Sequence, residues 1–412
     1  MMKSASLPRC RACGDNDLHR FLDLGALPLA NRLPSAPEAQ ERRFPLEAVV
    51  CRRCRLVQLT HDVPPSEIFD DYPYFSSYSS SWVEHARQYA AAAIPRWGLG
   101  PDSLVLEIAS NDGYLLRHFR DAGIKTLGVE PSQTVAAAAR AIGIPTDGRF
   151  FGVDTARSLR ADGVAANLIV ANNVLAHVPD LNDFLAGLAI MLEPGGVLSC
   201  EAPHLLRLIE GVQFDTMYHE HFSYFSLLSI ERALAVHDLM VFDLEELPTH
   251  GGSLRLWIAR GGAAAAPSPA LVRVRQAEAR AKLDRDEAYD GFAAAVGDCL
   301  RHLRQFLDTA AANGRRVAAY GAAAKGATLL GSCRATRRDI AFVADLNPHK
   351  QGRYLPGTGI PIVPPERIFI ERPDYILILP WNLQKEIIAQ LAGAREWGAR
   401  FVVPVPVAAE TP

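Results

Sequence analysis

Short apolar runs alternating with helical spacing dominate the middle of the chain. Leu104 to Ala109, Thr126 to Glu130, Leu168 to Asn172 and Val197 to Glu201 read as buried strands, and the segments between them place apolar residues on one helical face. That alternation predicts an open parallel sheet. Ser79-Ser80-Ser81 supplies an N-cap for a helix from Trp82 to Ala93 leading into the sheet, and Pro194-Gly195-Gly196 marks a turn before one strand. Residues 202 to 260 break the pattern. A His- and aromatic-rich stretch there precedes a helix near Leu227 to His237 and strands near Met240 to Leu244 and Ser253 to Ala259, which reads as an insertion over the sheet's ligand-binding edge. Gly261 to Pro269 reads as an uncharged linker, and Ala270 to Ala312 carries long helical character. A second strand-helix alternation starts at Val317 and continues through Ile340 to Ala344, Tyr375 to Leu379 and Phe401 to Val405. No short-period repeat indicates a solenoid. The pattern divides the chain into an α/β protein of three parts, 1-70, 71-260 and 261-412.

The first part differs in kind. It is rich in Arg, Pro and short turns with little helical periodicity, so it cannot bury enough apolar surface to fold unaided. Cys10, Cys13, Cys51 and Cys54 supply a staple: each Cys-Xaa-Xaa-Cys turn aims two thiolates at one ion, and two turns complete a tetrahedral shell. Such a closed site makes the zinc structural, and the long gap between the pairs implies a hairpin-like insertion. The alternative, two accidental redox motifs, is weakened by the matched pairs. Cys200, Cys299 and Cys333 read as buried apolar residues, and seven cysteines in 412 residues do not form a disulfide framework. With 49% hydrophobic and 22% charged residues the composition is that of a globular protein in water. A net charge of -3 provides no basic stripe, which argues against nucleic acid as the main partner and leaves a nucleotide-sized anion open. Met1 to Cys13 lacks an apolar core of secretory length, and no run of about eighteen apolar residues occurs, so a cytoplasmic location without membrane attachment is expected. The pattern does not specify an oligomeric state.

Several segments carry chemistry. Glu107 to Gly113 falls where a strand gives way to a helix, the usual ligand position in an open α/β sheet, but its one glycine is a poor dinucleotide fingerprint. Glu130 closes the next strand, where a carboxylate can accept from ribose hydroxyls; Asn111 and Asp112 can cap the helix or contact the cofactor. Asn172 to Asp180 follows a further strand end, so Asn172 and His177 face the same crevice. Tyr218-His219-Glu220-His221 puts two imidazoles, a carboxylate and a phenol together, and alternate side chains group Tyr218 with Glu220 or His219 with His221. Histidine suits removal of a carbon-bound proton near neutral pH, with a nearby carboxylate favouring its protonated form; metal binding completed by His250 is the rival reading. Tyr72 to Tyr78 is an aromatic, hydroxyl-bearing loop, and the two glycines of His250-Gly251-Gly252-Ser253 allow a backbone to come close. Gly321 to Gly326 opens a helix with small residues, so an anion, best a pyrophosphate, can meet main-chain amides beside Lys325.

Taken in order, these segments resemble the sugar C-methyltransferase family that acts on nucleotide-linked keto-deoxysugars. The resemblance runs through the paired Cys turns, Leu22-Asp23-Leu24-Gly25, Pro28-Leu29-Ala30-Asn31, Glu107 to Gly113, Tyr218 to His221, His250 to Ser253, Tyr320 to Gly326 and Leu379-Pro380-Trp381-Asn382. It implies an N-terminal zinc-binding domain, a central class I methyltransferase domain of Rossmann-like fold binding S-adenosylmethionine, and a second, C-terminal Rossmann-like domain that holds the sugar nucleotide. By motif matching, His221 takes the general-base position, Tyr218 and Glu220 supporting positions, His177 another active-site position and Tyr74 the tyrosine of the N-terminal loop. Glu107, Ala109, Asn111, Gly113, Glu130 and Asn172 match the cofactor side, and His250, Tyr320, Gly321, Lys325, Trp381 and Asn382 the substrate side. Ala109 stands where many methyltransferases have glycine. The implied reaction removes the carbon-3 proton of a 4-ketosugar through His221, with Tyr218 or His177 stabilising the enolate oxygen and Glu220 orienting His221 or holding a sugar hydroxyl. An oxygen methyltransferase, a nucleotide-sugar oxidoreductase and a noncatalytic zinc scaffold are the competing classes.

Overall fold

The computed structural model describes residues 9–64, 75–261 and 267–411. β1 (Leu18–Leu27), β2 (Phe44–Cys51) and β3 (Val57–Leu59) pair antiparallel, and β1 with β2 forms the hairpin-like element between the two Cys pairs. β4 (Leu104–Ile108), β5 (Lys125–Val129), β6 (Thr146–Asp147), β7 (Ala166–Val170) and β8 (Leu192–Pro203) make the parallel part of a central sheet. β9 (Ser223–Tyr224) leaves that sheet to pair with β3, whereas β10 (Leu239–Leu247) and β11 (Ser253–Arg260) return to it antiparallel, giving the order β10-β11-β8-β7-β4-β5-β6.

Within residues 202–260, β10 and β11 therefore extend the sheet rather than lie over its edge, whereas residues 204–224 leave the sheet. Six consecutive residues of β11, Ser253 to Ile258, are buried, so this strand is covered on both faces and belongs inside a sheet, with β10 as its edge. Pro194-Gly195-Gly196 is likewise no turn ahead of a strand. The β7–β8 register jumps from Ala166 opposite Leu192 to Leu168 opposite Val197, which makes the three residues a bulge within β8 with Gly195 at φ 81°.

The C-terminal sheet contains β12 (Val317–Tyr320), β13 (Val343–Ala344), β14 (Tyr354–Leu355), β15 (Ile360–Val363), β16 (Tyr375–Ile378), β17 (Arg400–Val403) and β18 (Ala409–Thr411). Its order is β14-β15-β13-β12-β16-β17-β18, parallel at the centre and antiparallel at both edges. The Ser79 side chain accepts from Trp82 N and starts the helix Ser80–Arg96. The long helical stretch divides into Pro269–Arg280 and Asp286–Ala312, because Lys282 adopts φ 57° and Asp286 and Glu287 open a new first turn.

Two shared cores fix the arrangement. Leu22, Leu46 and Val57 of the N-terminal sheet pack with Phe214 and Met217, with Phe292 and Leu303 of the long helix, and with Leu329 and Leu377 of the C-terminal unit. Cys51 and Leu56 pack instead with Ile108, Ile169, Leu227 and Leu256 of the central unit. The small sheet is thus wedged between the two larger units, and residues 214–224 lie where all three meet. No helix among the described residues is long and apolar enough to cross a membrane.

Candidate active site

The Cys10, Cys13, Cys51 and Cys54 sulfurs lie within 4.8 Å of one another. A tetrahedral zinc with Zn–S bonds of about 2.3 Å needs sulfur separations of about 3.8 Å, so the four thiols fit the ion and leave no open coordination position. Among the described residues this is the one group arranged to hold a metal, so the rival site built on His219, His221 and His250 is not assembled.

At the end of β4, Ala109 adopts φ 56°, Asn111 50° and Gly113 78°. The left-handed turn at Ala109 explains the preference for glycine there: alanine keeps the same path at a cost of about 1–2 kcal/mol. Glu107 is buried, and its pKa lies well above the carboxylate range because of burial and then the nearby Glu130 and Asp112. Its Oε2 and Oδ1 of Asp112 have no hydrogen-bond partner among the described residues. Glu130 accepts from Asn111 N at 3.0 Å and Ser132 N at 2.9 Å. Asn111 and Asp112 do not cap the helix Leu116–Asp121, which begins without a side-chain cap. They accept instead from Ser76 N at 2.9 Å and Ser77 N at 3.1 Å, anchoring the aromatic loop against the β4 turn. Asn172 Oδ1 accepts from Glu201 N at 3.0 Å and so ties β7 to β8. Tyr72 and Tyr74 lie outside the described residues; Tyr78 is exposed and stacks on Phe75.

The four residues Tyr218 to His221 form a turn in which His221 N donates to Tyr218 O at 2.8 Å. The turn corrects the grouping expected from alternation. Tyr218 and His221 face each other with ring centroids 4.1 Å apart, and His177 meets the same imidazole edge-on at 4.7 Å. His219 is turned away, its Nε2 against the carbonyls of Phe44 and Pro45 at 3.2 and 3.3 Å. Glu220 does not reach His221: Asn31 Nδ2 donates to both its carboxylate oxygens, at 2.7 and 2.9 Å. What orients His221 is a main-chain group, the Thr216 carbonyl, which lies 2.8 Å from Nδ1. A carbonyl only accepts, so Nδ1 carries the proton and Nε2 the lone pair.

The electrostatics follow from burial. The His221 pKa lies well below 6.5, driven by burial and then by His177, against the bond to Thr216. The imidazole is therefore neutral at pH 7, and the expected carboxylate assistance is absent. His177 is pushed down to about 4 by burial, with the Glu220 main chain opposing. Glu220 is pushed up to about 7 by burial against the Asn31 bonds. A neutral imidazole with its lone pair on Nε2, beside a phenol, can take a proton from carbon or oxygen while the phenol donates a hydrogen bond to the resulting anion.

Most residues expected on the substrate side converge nearby. Lys325 Nζ sits 4.4 Å from the Trp381 ring centre and donates to Asn382 Oδ1 at 2.9 Å. Trp381 Nε1 donates to Asp215 at 2.7 Å. His250, at φ 56°, packs 5.2 Å from the Trp82 ring, and the next residue must be glycine: a Cβ on Gly251 would lie 2.5 Å from Trp381. Gly321 needs its φ of 89° and its bare Cα, because a Cβ there would lie 2.3 Å from Pro380. Tyr320 is not part of this group. Strand alternation places it on the opposite face, among Phe342, Ile376 and Ile378, with its hydroxyl donating to Gln390 at 2.9 Å.

The sequence reading missed several participants. Asn31 was visible only as part of a motif; Thr216 acts through its main chain and leaves no side-chain signal. Glu201, Arg255 and His85 form a buried network at the end of β8, with Arg255 Nε donating at 2.7 Å and His85 Nε2 at 3.0 Å from the carboxylate. Burial raises the Glu201 pKa, and His85 with Arg255 outweighs it and holds the group low. The strand-end logic that picked out Glu107 and His177 applies equally to Glu201.

The fold and this crevice define a methyltransferase with a zinc-stapled N-terminal unit. Family models match along the chain: a zinc binding domain over residues 10–69, a methyltransferase domain over 82–243 and a C-methyltransferase C-terminal domain over 248–406. The chain is 35% identical over 402 residues to C-methyltransferase NovU of Streptomyces niveus, covering 97% of this chain and 96% of that one. The chain belongs to this family of S-adenosylmethionine-dependent C-methyltransferases. The unpartnered buried oxygens of Glu107 and Asp112 fit the hydroxyl and ammonium donors of that cofactor. Solved structures similar to part of the chain include the PH0226 protein of Pyrococcus horikoshii OT3, at 14% identity, TM-score 0.38, 47% of this chain and 98% of that one. A methyltransferase of Clostridium acetobutylicum ATCC 824 gives 14%, 0.35, 48% and 96%. At such scores these likenesses add nothing to the assignment.

Proposed function

We propose that the enzyme methylates carbon-3 of a nucleotide-linked 4-keto-deoxysugar by way of an enolate. The observation that carries this reading is the fixed tautomer of His221, whose Nδ1 bond to Thr216 O at 2.8 Å leaves Nε2 as the proton acceptor. The carbon-4 ketone acidifies the carbon-3 proton; Nε2 of His221 takes it, and the electron pair left on carbon is delocalised onto the ketone oxygen. Tyr218 donates a hydrogen bond to that oxygen, whereas the single N–H of the neutral His177 is directed at the Glu220 main chain. When bound, S-adenosylmethionine supplies an electrophilic methyl group. The methyl group would pass to carbon-3, leaving its electron pair with the donor, and the proton would stay on His221 until solvent removes it. Glu107, Asp112 and Glu130 would hold the methyl donor, and Lys325, Trp381, Asn382 and His250 the nucleotide-linked end of the sugar.

The test is incubation of the zinc-loaded enzyme with carbon-13-labelled methyl donor and a panel of nucleotide-linked 4-ketosugars. A product whose labelled methyl couples to a ring carbon supports the reading. A methyl on oxygen rejects it in favour of hydroxyl deprotonation by the same imidazole, and no transfer to any 4-ketosugar rejects the substrate class.

A further inference from the structure

We propose that Asp215 is a positioning residue that links the Trp381 side of the crevice to the orientation of the His221 imidazole. Asp215 is fully buried on the short turn Phe214–Thr216. Its neighbour Thr216 supplies the carbonyl that fixes His221 Nδ1, 2.8 Å away. Its Oδ2 accepts from Trp381 Nε1 at 2.7 Å, the main-chain N–H groups of Asp215 and Thr216 also favour the charged carboxylate, and Oδ1 has no side-chain partner among the described residues. Trp381 in turn carries the Lys325 ammonium on its ring, 4.4 Å from the centre, and fills the space against Gly251.

Within its own unit the turn is held by Thr216 N and Oγ1, which donate to Gln213 O at 3.1 and 2.7 Å, by Met217 N on Phe214 O at 2.9 Å, and by the buried side chains of Phe214 and Met217. The hydrogen bond from Trp381 adds a tie to another unit of the chain, made at the residue next to Thr216. Burying an aspartate without a strong reason is costly, and burial does push its pKa up to about 6 even with Lys325 opposing. A hydrophobic residue in the same place would pack the turn more cheaply; a carboxylate there gains a directional bond to the tryptophan. Cutting that bond leaves the local bonds in place but removes the tie on the crevice side, so the Thr216 carbonyl shifts, its hold on the Nδ1 proton weakens, and both tautomers of His221 become populated. Since the lone pair then resides on Nε2 only part of the time, proton removal slows.

This inference rests on His221 being the base, so its test needs a readout that does not depend on the substrate. Nitrogen-15 histidine spectra of the substrate-free, zinc-loaded protein supply it, with the His221 signals assigned by their loss in His221→Asn. In the parent protein, Nδ1 gives a protonated-nitrogen shift and Nε2 a lone-pair shift. Asp215→Ala is expected to draw the two shifts together and to slow solvent exchange at the sugar's acidic carbon by about 100-fold, the scale of a misplacement of about 1 Å. The KM is expected to change much less than the exchange rate. Asp215→Asn, whose amide oxygen still accepts from Trp381, is expected to restore the separated shifts and most of the lost rate. If the alanine variant does not fold, Trp381→Phe removes the donor from the other side and is read by the same spectra. Unchanged His221 shifts after either cut overturn the proposal, and so does an asparagine variant as disturbed as the alanine one. Altered shifts without exchange in the parent enzyme on any ketosugar leave the positioning role standing and reject the substrate assignment.

Discussion

Replacing Asn31 by alanine tests whether the N-terminal unit holds the Glu220 carboxylate in place. Glu220 is 4% exposed, and both its oxygens depend on one amide, at 2.7 and 2.9 Å. Burial has already moved this carboxyl from its ordinary 4.5 to about 7. At about 1.4 kcal/mol per factor of ten, that shift corresponds to about 3 kcal/mol. The sign is set by proton binding: between 4.5 and about 7 the folded protein keeps a proton that the unfolded chain has released, so this group costs nothing at low pH and its full amount above about 7. Hydrogen bonds to an ionised group contribute about 1.5–3 kcal/mol, against about 1 kcal/mol for a neutral pair. Asn31→Ala therefore raises the Glu220 pKa further and destabilises by about 1 kcal/mol near pH 6, where the carboxyl is protonated in both proteins, and by about 2–3 kcal/mol near pH 9. Thermal melting of the zinc-loaded full chain at the two pH values measures the difference, and any packing loss cancels because it does not depend on pH. An equal loss at both values would mean that the amide does not support the charged form, and the reasoning would fail.

His221→Asn should keep methyl-donor binding, measured by calorimetry, and lower solvent exchange at the acidic carbon by about 100-fold or more. In the parent enzyme the low pKa of His221 keeps the base neutral from well below 6.5 upward, so kcat/KM should show no loss attributable to this group until the pH falls below 6.5. Stripping zinc with a chelator should expose the N-terminal unit to trypsin and reduce activity in step with metal loss; Arg11 beside the Cys pair packs 5.2 Å from the Phe222 ring, next to His221. Activity that outlasts complete metal loss would uncouple the two. Gly251→Ala brings a Cβ to 2.5 Å from Trp381 at φ 88° and should cost about 1–3 kcal/mol in melting while raising KM for the nucleotide-linked substrate.

The strands of both α/β units were legible because each is a short apolar run at a regular interval, and burial on both faces is what such a run requires. The paired cysteines were legible because ligand spacing is local. The destination of residues 202–260 was not. Their strands look alike whether they cap a sheet or extend it, and only the continuous burial of Ser253 to Ile258 separates the two cases. Tyr320 shows the same limit at the scale of one residue: its motif neighbours Gly321 and Lys325 face the crevice side, while strand alternation sends the ring the other way.

Tyr218 to His221 explains why the site could be found but not assembled from sequence. The tetrad contains no glycine, proline or asparagine, so nothing local announces a turn, and period-two alternation was the natural reading. The turn is imposed from outside, one residue at a time. His219 is taken by the carbonyls of Phe44 and Pro45, Glu220 by Asn31, His221 by Thr216, and Phe222 N by Ala176 O at 2.7 Å. Those partners come from the small sheet, from the turn tied to Trp381 and from the loop after β7. The imidazole that faces Tyr218 and His177 is the one fixed by the Thr216 carbonyl, with its lone pair on Nε2, and it is placed so only when three separate parts of the chain have claimed the residues around it.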